Sequence, residues 1–348
     1  MYKRQAEELN AIDEMQFGFK EGFSSEHAAL SLANEITTGF KKGEDSAVVF
    51  LDISNAFPSI WHDGLLLKMA RKKFPTIYIR LLKSFLADRQ ISVKIDEHTS
   101  VRKTLNNGLP QGGVLSPLLY SIFANDFFQM IRNDGTFDPR AFADDKALIR
   151  RFFKDHFLES KVNIALKKIH KWSLKWHINF SSRKTKLVIF SKHNVTPAYS
   201  FRFQNQALDI VDNHKYLGVT FDKKLSWNNH MDEKLGKCMN NVRKLSAVGK
   251  NKFGLAQKTT KFIIERVIVP SLLYGAIVWG NATKLIYVKN KLKKFDRLAS
   301  LAITHCLTPT ATENLSVLAG LVPTDLQIDA QIANSFLRLF NNLSLIHI

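Results

Sequence analysis

Two adjacent carboxylates, Asp144 and Asp145, stand between apolar stretches, Ala141-Phe142-Ala143 before them and Ala147-Leu148-Ile149 after. No other feature constrains the fold as tightly. The pattern predicts a β-hairpin tipped by the two aspartates, because Asp tolerates the left-handed backbone of a two-residue turn. Taken alone, such a pair is an ordinary solvated turn. Two like charges so close repel, however, and a site that used both would want a cation beside them.

A second carboxylate gives the pair its context. Ala47 to Leu51 (AVVFL) is a short unbroken apolar run rich in valine, which predicts a strand buried on both faces, with Asp52 at its C-terminal end. Central strands of one sheet can bring Asp52 beside Asp144. Carboxylates converging on two divalent ions are what phosphoryl or nucleotidyl transfer needs. Asp52 is equally explained as a helix cap, as a strand-terminal Asp often is; separately, Pro58 suits the first turn of a following helix that carries Ile60, Trp61, Leu65 and Met69.

The rest of the chain reads as mixed α/β, then helical. Gln16 to Gly22 suits a loop entering a helix that is capped by Ser24 or Ser25, runs to about Phe40 and ends at Gly43. A helix covers Ile77 to Leu86. Strict alternation from Ile91 to Ile95 predicts a half-buried strand. Asn106 to Gly113 is turn material, and a helix follows from Ser116 or Pro117 to Ile131. Asp155 to Trp176 is helical by period, Lys186 to Phe190 is a strand, and Tyr199 to Phe221 forms short antiparallel strands. Helices over 230–248, 256–274, 285–305 and 310–343 complete the chain, with a boundary near Asp222.

Charge separates the two parts. The 348 residues carry a net charge of +19, and Lys223 to Ser300 holds 17 Lys and Arg against 4 Asp and Glu. A solvated face is the plain explanation of a charge run, but this imbalance favours a polyanionic partner, nucleic acid first and an anionic membrane second. The two cysteines, Cys238 and Cys306, lie far apart without nearby His ligands, which excludes a disulfide framework and a zinc finger. No apolar run of membrane-spanning length occurs, so no membrane partner is expected.

The ends carry a separate signal. LSLIHI (Leu343 to Ile348) back-translates as CTG TCT CTT ATA CAC ATC, whose reverse complement contains GTG TAT AAG AGA CAG. That string reads VYKRQ, or MYKRQ from a GTG start, and the chain begins MYKRQ. Met1–Gln5 and Leu343–Ile348 are therefore expected to be scars of a sequencing adaptor, and the chain a fragment open at both ends.

Together the blocks resemble the reverse transcriptases of non-LTR (LINE-type) retrotransposons, most closely the Jockey-like kind. VVFLDISNAFPSIWH (Val48 to His62) is similar to the family's first catalytic block, GLPQGGVLSPLLYSIFANDF (Gly108 to Phe127) to the block beneath template and nucleotide, and AFADD to its second carboxylate block. NFSSRKTKLVIFS (Asn179 to Ser191) and KYLGVTFDKKLSWNNH (Lys215 to His230) resemble the next two. QFGFKEGFSSEHA (Gln16 to Ala28) corresponds to part of the fingers, and the tail, with YGAIVWG and LAGLVPTDL, to the segment before ribonuclease H in such elements.

The resemblance implies an α+β, right-hand polymerase fold. Partial fingers and a palm with an antiparallel sheet would span 6–222, and a basic helical thumb and connection region 223–342. It implies an RNA-directed DNA polymerase that copies element RNA from a target DNA 3′ end. Asp52, Asp144 and the Ile53 carbonyl would hold two Mg²⁺ ions, or Mn²⁺, with Asp145 in support. Phe57 would be the steric gate against a 2′-hydroxyl, Gln111 and Gly112 would lie against the nascent base pair, Lys184 would protonate pyrophosphate, and Tyr216-Leu217-Gly218 would form the primer grip. Partners would be template RNA, primer DNA, dNTPs and further domains of the same polyprotein, in a cytoplasmic ribonucleoprotein that enters the nucleus to integrate.

The sequence departs from the family at Pro58, where an Asp is common. The earliest finger motifs are absent upstream of Gln16, and no endonuclease or ribonuclease H domain is visible. A group II intron-type enzyme shares the carboxylates but not the YLG block or the tail. An inactive nucleic-acid-binding relic is the reading from another class. The three intact aspartates weigh against it and the missing fingers for it.

Overall fold

The structure, a computed structural model, describes residues 2–153, 156–193, 199–249 and 255–346. The chain divides into two compact units after Asp212. The first is built on a five-stranded sheet of β1 (Asp45–Leu51), β2 (Asp138–Phe142), β3 (Asp145–Phe152), β4 (Lys186–Phe190) and β5 (Asp209–Ile210), in the order β5-β4-β1-β3-β2. All neighbours are antiparallel except β4 and β5, so the expected antiparallel sheet carries one parallel edge pair. β1 is the middle strand and every residue from Ser46 to Leu51 is buried.

That burial explains the missing alternation in AVVFL. Ala47, Val49 and Leu51 join the large core with Phe123, Phe127, Ile169, Trp172 and Trp176 of helices Ser116–Asp134 and Leu158–Trp176. Val48 and Phe50, pointing the other way, are buried outside that cluster. Helix Ser25–Lys41 packs on β1, β2 and β3, and Ser24 caps it in a reciprocal pair with His27. Helix Tyr2–Glu8 packs too, Tyr2 stacking on Tyr78 and donating its hydroxyl to the Tyr78 carbonyl at 3.0 Å.

Three local expectations change. Pro58 does not start a helix: residues 55–59 form turns and the helix begins at His62. The turn leaves the carbonyls of Phe57 and Ile60 to accept from Leu109 and Gly108, which a helix would have consumed. The alternating stretch from Ile91 to Ile95 makes only the short strands Gln90–Ile91 and Lys94–Ile95, with Ile91, Val93 and Ile95 exposed, because nothing packs on either face of that arm. The helix expected from Asp155 starts at Leu158, and Asp155 lies outside the described residues.

The second unit, from Asn213, opens with a hairpin of β6 (Asn213–Tyr216) and β7 (Val219–Asp222). The division thus falls ahead of Asp222, and the YLG turn goes with the helices. Asp222 makes the transition: its carboxylate accepts from the backbone N–H groups of Lys224, Ser226 and Trp227, turning the chain into helix Asn228–Gly249. The helix expected over 256–274 is divided. Gln257–Ile263 passes through a π-helical turn, Ile264–Ile268, into Val269–Leu273. Pro270 lacks the N–H that a regular ladder would use, and a wider turn just before it absorbs the mismatch. Ile286–Thr304, Thr312–Ala319 and Thr324–Ile346 follow. Cys238 and Cys306 are free thiols. No single described helix is long and apolar enough to cross a membrane. The pair Gln257–Leu273 and Ala276–Lys284 meets that length and composition only together, bent by 52°.

Candidate active site

The hairpin that organises the sequence is real, one residue earlier than expected. Phe142 pairs with Asp145, so the two-residue turn is Ala143-Asp144 and Asp145 begins the return strand. Ala143, not an aspartate, takes the left-handed backbone, at φ 56°. Local propensity favours Asp there, but tertiary contacts hold the alanine. Gln16 Oε1 accepts from the Ala143 N–H at 2.9 Å and Gln16 Nε2 donates to the Ala143 carbonyl at 3.2 Å.

β1 and β3 are direct neighbours, with Leu51 opposite Lys146. Continuing that register by one residue sets Asp52 across from Asp145, on strands about 4.8 Å apart. The three carboxylates therefore share one end of the sheet. Their mutual charge is felt: partial burial raises the Asp145 pKa, and Asp144 and then Asp52 raise it further, against the pull of Lys146. One oxygen of Asp52, Oδ2, is buried with no hydrogen-bond partner among the described residues, and the Lys184 ammonium stands 3.7 Å from it. A buried carboxylate oxygen without a donor is costly unless a cation completes it.

Lys184 reaches that position from a turn at 181–184, where its own N–H donates to Ser181 Oγ at 3.3 Å. The Ser181 N–H in turn donates to the Asp52 carbonyl at 2.9 Å. This bond flanks the Ile53–Phe180 pair, which makes it a non-hydrogen-bonded pair, and the Ile53 carbonyl points away from the Asn179–Phe180 strand. It is thus available as an oxygen ligand. Among the described residues no three His, Cys, Asp or Glu side chains form a ready-made metal cage. The donor set that is present suits a hard divalent cation: oxygens from two or three aspartates and a carbonyl.

The other predicted residues of the first unit lie on turns that follow Asp52 and Gly108. Phe57 is half-buried against Phe19 and Tyr120, at centroid distances of 6.3 and 5.3 Å. Gln111 and Gly112 lie exposed on a turn, and Gly112 has φ 79° with open space where a side chain would be. That turn is fastened to the Asp52 segment through Gly108, whose N–H donates to the Ile60 carbonyl at 2.8 Å and whose carbonyl pairs with His62 Nε2 at 2.8 Å. Tyr216, Leu217 and Gly218 belong to the second unit, where Leu217 and Gly218 form a left-handed two-residue turn at φ 47° and 81°. The Tyr274 hydroxyl donates to the Leu217 carbonyl at 2.9 Å.

Sequence reasoning missed three residues here. Gln16 stood in a loop and was read as part of it. Tyr120 sat on a helix face and Lys146 looked like one lysine among many. In the fold Lys146 is fully buried behind the carboxylates. Its ammonium donates to the Ala143 carbonyl at 3.1 Å and to the Tyr120 hydroxyl at 3.3 Å. Burial lowers its pKa to about 8, against Asp144 and Asp145, which raise it. Burial raises that of Tyr120, as do the same two aspartates. The sequence signal was a charged residue where β3 should alternate into the core.

Residues 1–221 match the family described as reverse transcriptase (RNA-dependent DNA polymerase). The "Probable RNA-directed DNA polymerase from transposon BS" of Drosophila melanogaster is 30% identical over 310 residues, 86% of this chain and 33% of that protein. The "RNA-directed DNA polymerase from mobile element jockey" of the same fly is 29% identical over 79% of this chain and 30% of its own length. The chain thus spans about a third of these curated relatives. Among solved structures, apo telomerase from Candida tropicalis aligns with 97% of the chain and 58% of its own, at 12% identity and a TM-score of 0.45.

Proposed function

The chain belongs to the reverse transcriptase (RNA-dependent DNA polymerase) family, in its LINE-type, non-LTR branch, and on that premise we propose that it extends a DNA 3′ end by copying RNA. The fold we assign is the palm of a right-hand polymerase with part of its fingers, followed by a helical thumb and connection region. The observation that carries the activity is the meeting of Asp52 with Asp144 and Asp145 at one end of β1 and β3, with the buried Asp52 Oδ2 lacking a hydrogen-bond donor among the described residues.

In the reaction the primer 3′-oxygen attacks the α-phosphorus of a dNTP. The new P–O bond forms as the bond to pyrophosphate breaks. Asp52, Asp144 and the Ile53 carbonyl, with Asp145 in support, would hold two Mg²⁺ ions, which would supply activation of the attacking oxygen and charge neutralisation at the leaving group. Lys184, poised beside Asp52, gives its proton to the leaving pyrophosphate. Phe57 limits the sugar pocket on the 2′ side, and Gln111 and Gly112 lie along the nascent pair, where an exposed turn leaves the backbone approachable. The basic helices of the second unit bind the template–primer backbone by charge, without reading sequence. Tyr216-Leu217-Gly218 contact the primer end. The protein acts in a cytoplasmic ribonucleoprotein and in the nucleus during integration.

Primer extension on poly(rA)/oligo(dT) with Mg²⁺ tests this reading. Incorporation that vanishes in both Asp52→Ala and Asp144→Ala is expected; incorporation that survives either change overturns the two-metal assignment.

A further inference from the structure

The QFG segment ahead of helix Ser25–Lys41 has no part in the chemistry above, yet it makes intimate contact with the carboxylate hairpin. The Phe17 N–H donates to the Ala141 carbonyl at 2.8 Å and the Ala141 N–H to the Met15 carbonyl at 3.0 Å, so the segment lies along the outer edge of β2. From there the Gln16 side chain, 1% exposed, reaches the turn itself. Its oxygen accepts from Ala143 N–H and, at 3.1 Å, from Gly18 N–H, and its amide nitrogen donates to the Ala143 carbonyl. One carboxamide thus satisfies both backbone groups of the residue that precedes Asp144. A Cβ at position 18 would collide with the Ala143 backbone, so Gly18 is what lets the segment come this close.

The arrangement has a physical purpose. An alanine in the left-handed region is unfavourable, and the turn also gathers carboxylates that repel. Without an outside hold the hairpin would relax and move Asp144. A carboxamide suits the task because it carries a donor and an acceptor on one rigid plane. Glutamate has the same shape and only acceptors.

We propose that Gln16 is a positioning residue: through Ala143 it fixes where the Asp144 carboxylate stands, and so sets the affinity of the site for its divalent ions. The inference rests on the metal reading of Asp144 given above.

The test uses the whole chain and Mn²⁺ alone, followed by EPR of the free ion, with amide hydrogen exchange as a second readout. Gln16→Glu and Gln16→Ala should weaken Mn²⁺ binding about tenfold, the scale of losing an outer-shell partner of a metal ligand. Exchange at residues 141–146 should quicken while that of β1 stays unchanged. In primer extension the same variants should lower kcat and leave KM for dNTP alone. Gly18→Ala, which displaces the segment and keeps the glutamine, should reproduce the effect. Unchanged Mn²⁺ affinity in the Gln16 variants, or exchange quickened equally across β1, overturns the proposal. If Asp144→Ala itself leaves Mn²⁺ affinity intact, the metal reading has failed, and the exchange pattern alone then decides whether Gln16 holds the turn.

Discussion

Two hairpins in this protein have the same length of turn and opposite electrical character. The Ala143-Asp144 turn joins β2 to β3 and gathers three carboxylates. The Leu217-Gly218 turn joins β6 to β7 and is uncharged. Each is held by a side chain distant in sequence, Gln16 in the first case and Tyr274 in the second. The second has two left-handed positions, takes leucine at the first and the conventional glycine at the second, and lets Gly218 pack on the Tyr274 ring. The first forgoes that residue and keeps charge where charge is unfavourable. Both turns set a non-glycine residue at positive φ, Ala143 in one and Leu217 in the other, and both draw support from elsewhere; what sets the first apart is the charge it gathers.

The largest effect separates them by function. Asp144→Asn should cut incorporation by about a thousandfold, the scale of removing a primary electrostatic group, without lowering the urea midpoint of unfolding, since it relieves like-charge repulsion. A lowered midpoint would mean that the carboxylates serve the fold. Gly218→Val should register in the fold itself. A branched side chain at φ 81° would meet Tyr274 Cε1 at 2.7 Å, and urea unfolding should register a loss of about 1–3 kcal/mol.

Acidity should move the two units in opposite directions. In the second unit, burial holds His230 down at about 4, with Lys234 adding to that effect, and its Nδ1 accepts from the Thr220 N–H at 3.1 Å. Between that value and the unfolded pKa of 6.5, only the unfolded chain binds the proton, so stability falls with falling pH, by at most about 1.4 kcal/mol per unit. Asp145 has a raised pKa, so it destabilises the folded state above that value and the penalty lifts as pH drops through it. Urea unfolding from pH 7 to 4 should show a slope that His230→Gln flattens, and Asp145→Asn should steepen the acid loss; a slope unmoved by either change refutes both assignments. The smallest effect is that of Tyr274→Phe, which removes one hydrogen bond to the Leu217 carbonyl and should cost about 1 kcal/mol in the same assay.

Much of the site was legible because its residues are local signals. AVVFL announced a central strand by its unbroken burial, AFADD a tight turn between strands, and PQGG a turn before a helix. Errors arose where a distant contact outweighed local preference. Pro58 looked like a helix start, but the carbonyls around it were needed by Gly108 and Leu109. Ile91 to Ile95 alternates like a half-buried strand, and alternation cannot reveal that no partner covers it.

By itself the sequence determined the central strands of the sheet, the carboxylates at their ends and the basic, helical character of the second half. Those properties follow from side-chain period, turn chemistry and charge, all written within a few residues of one another. Only the tertiary structure decided that Leu51 faces Lys146 and so brings Asp52 to Asp145, that Lys146 is buried behind the pair, and that Gln16 grips the turn from 127 residues away. Register and long-range hydrogen bonds are set by how whole elements pack, and no window of sequence contains both partners.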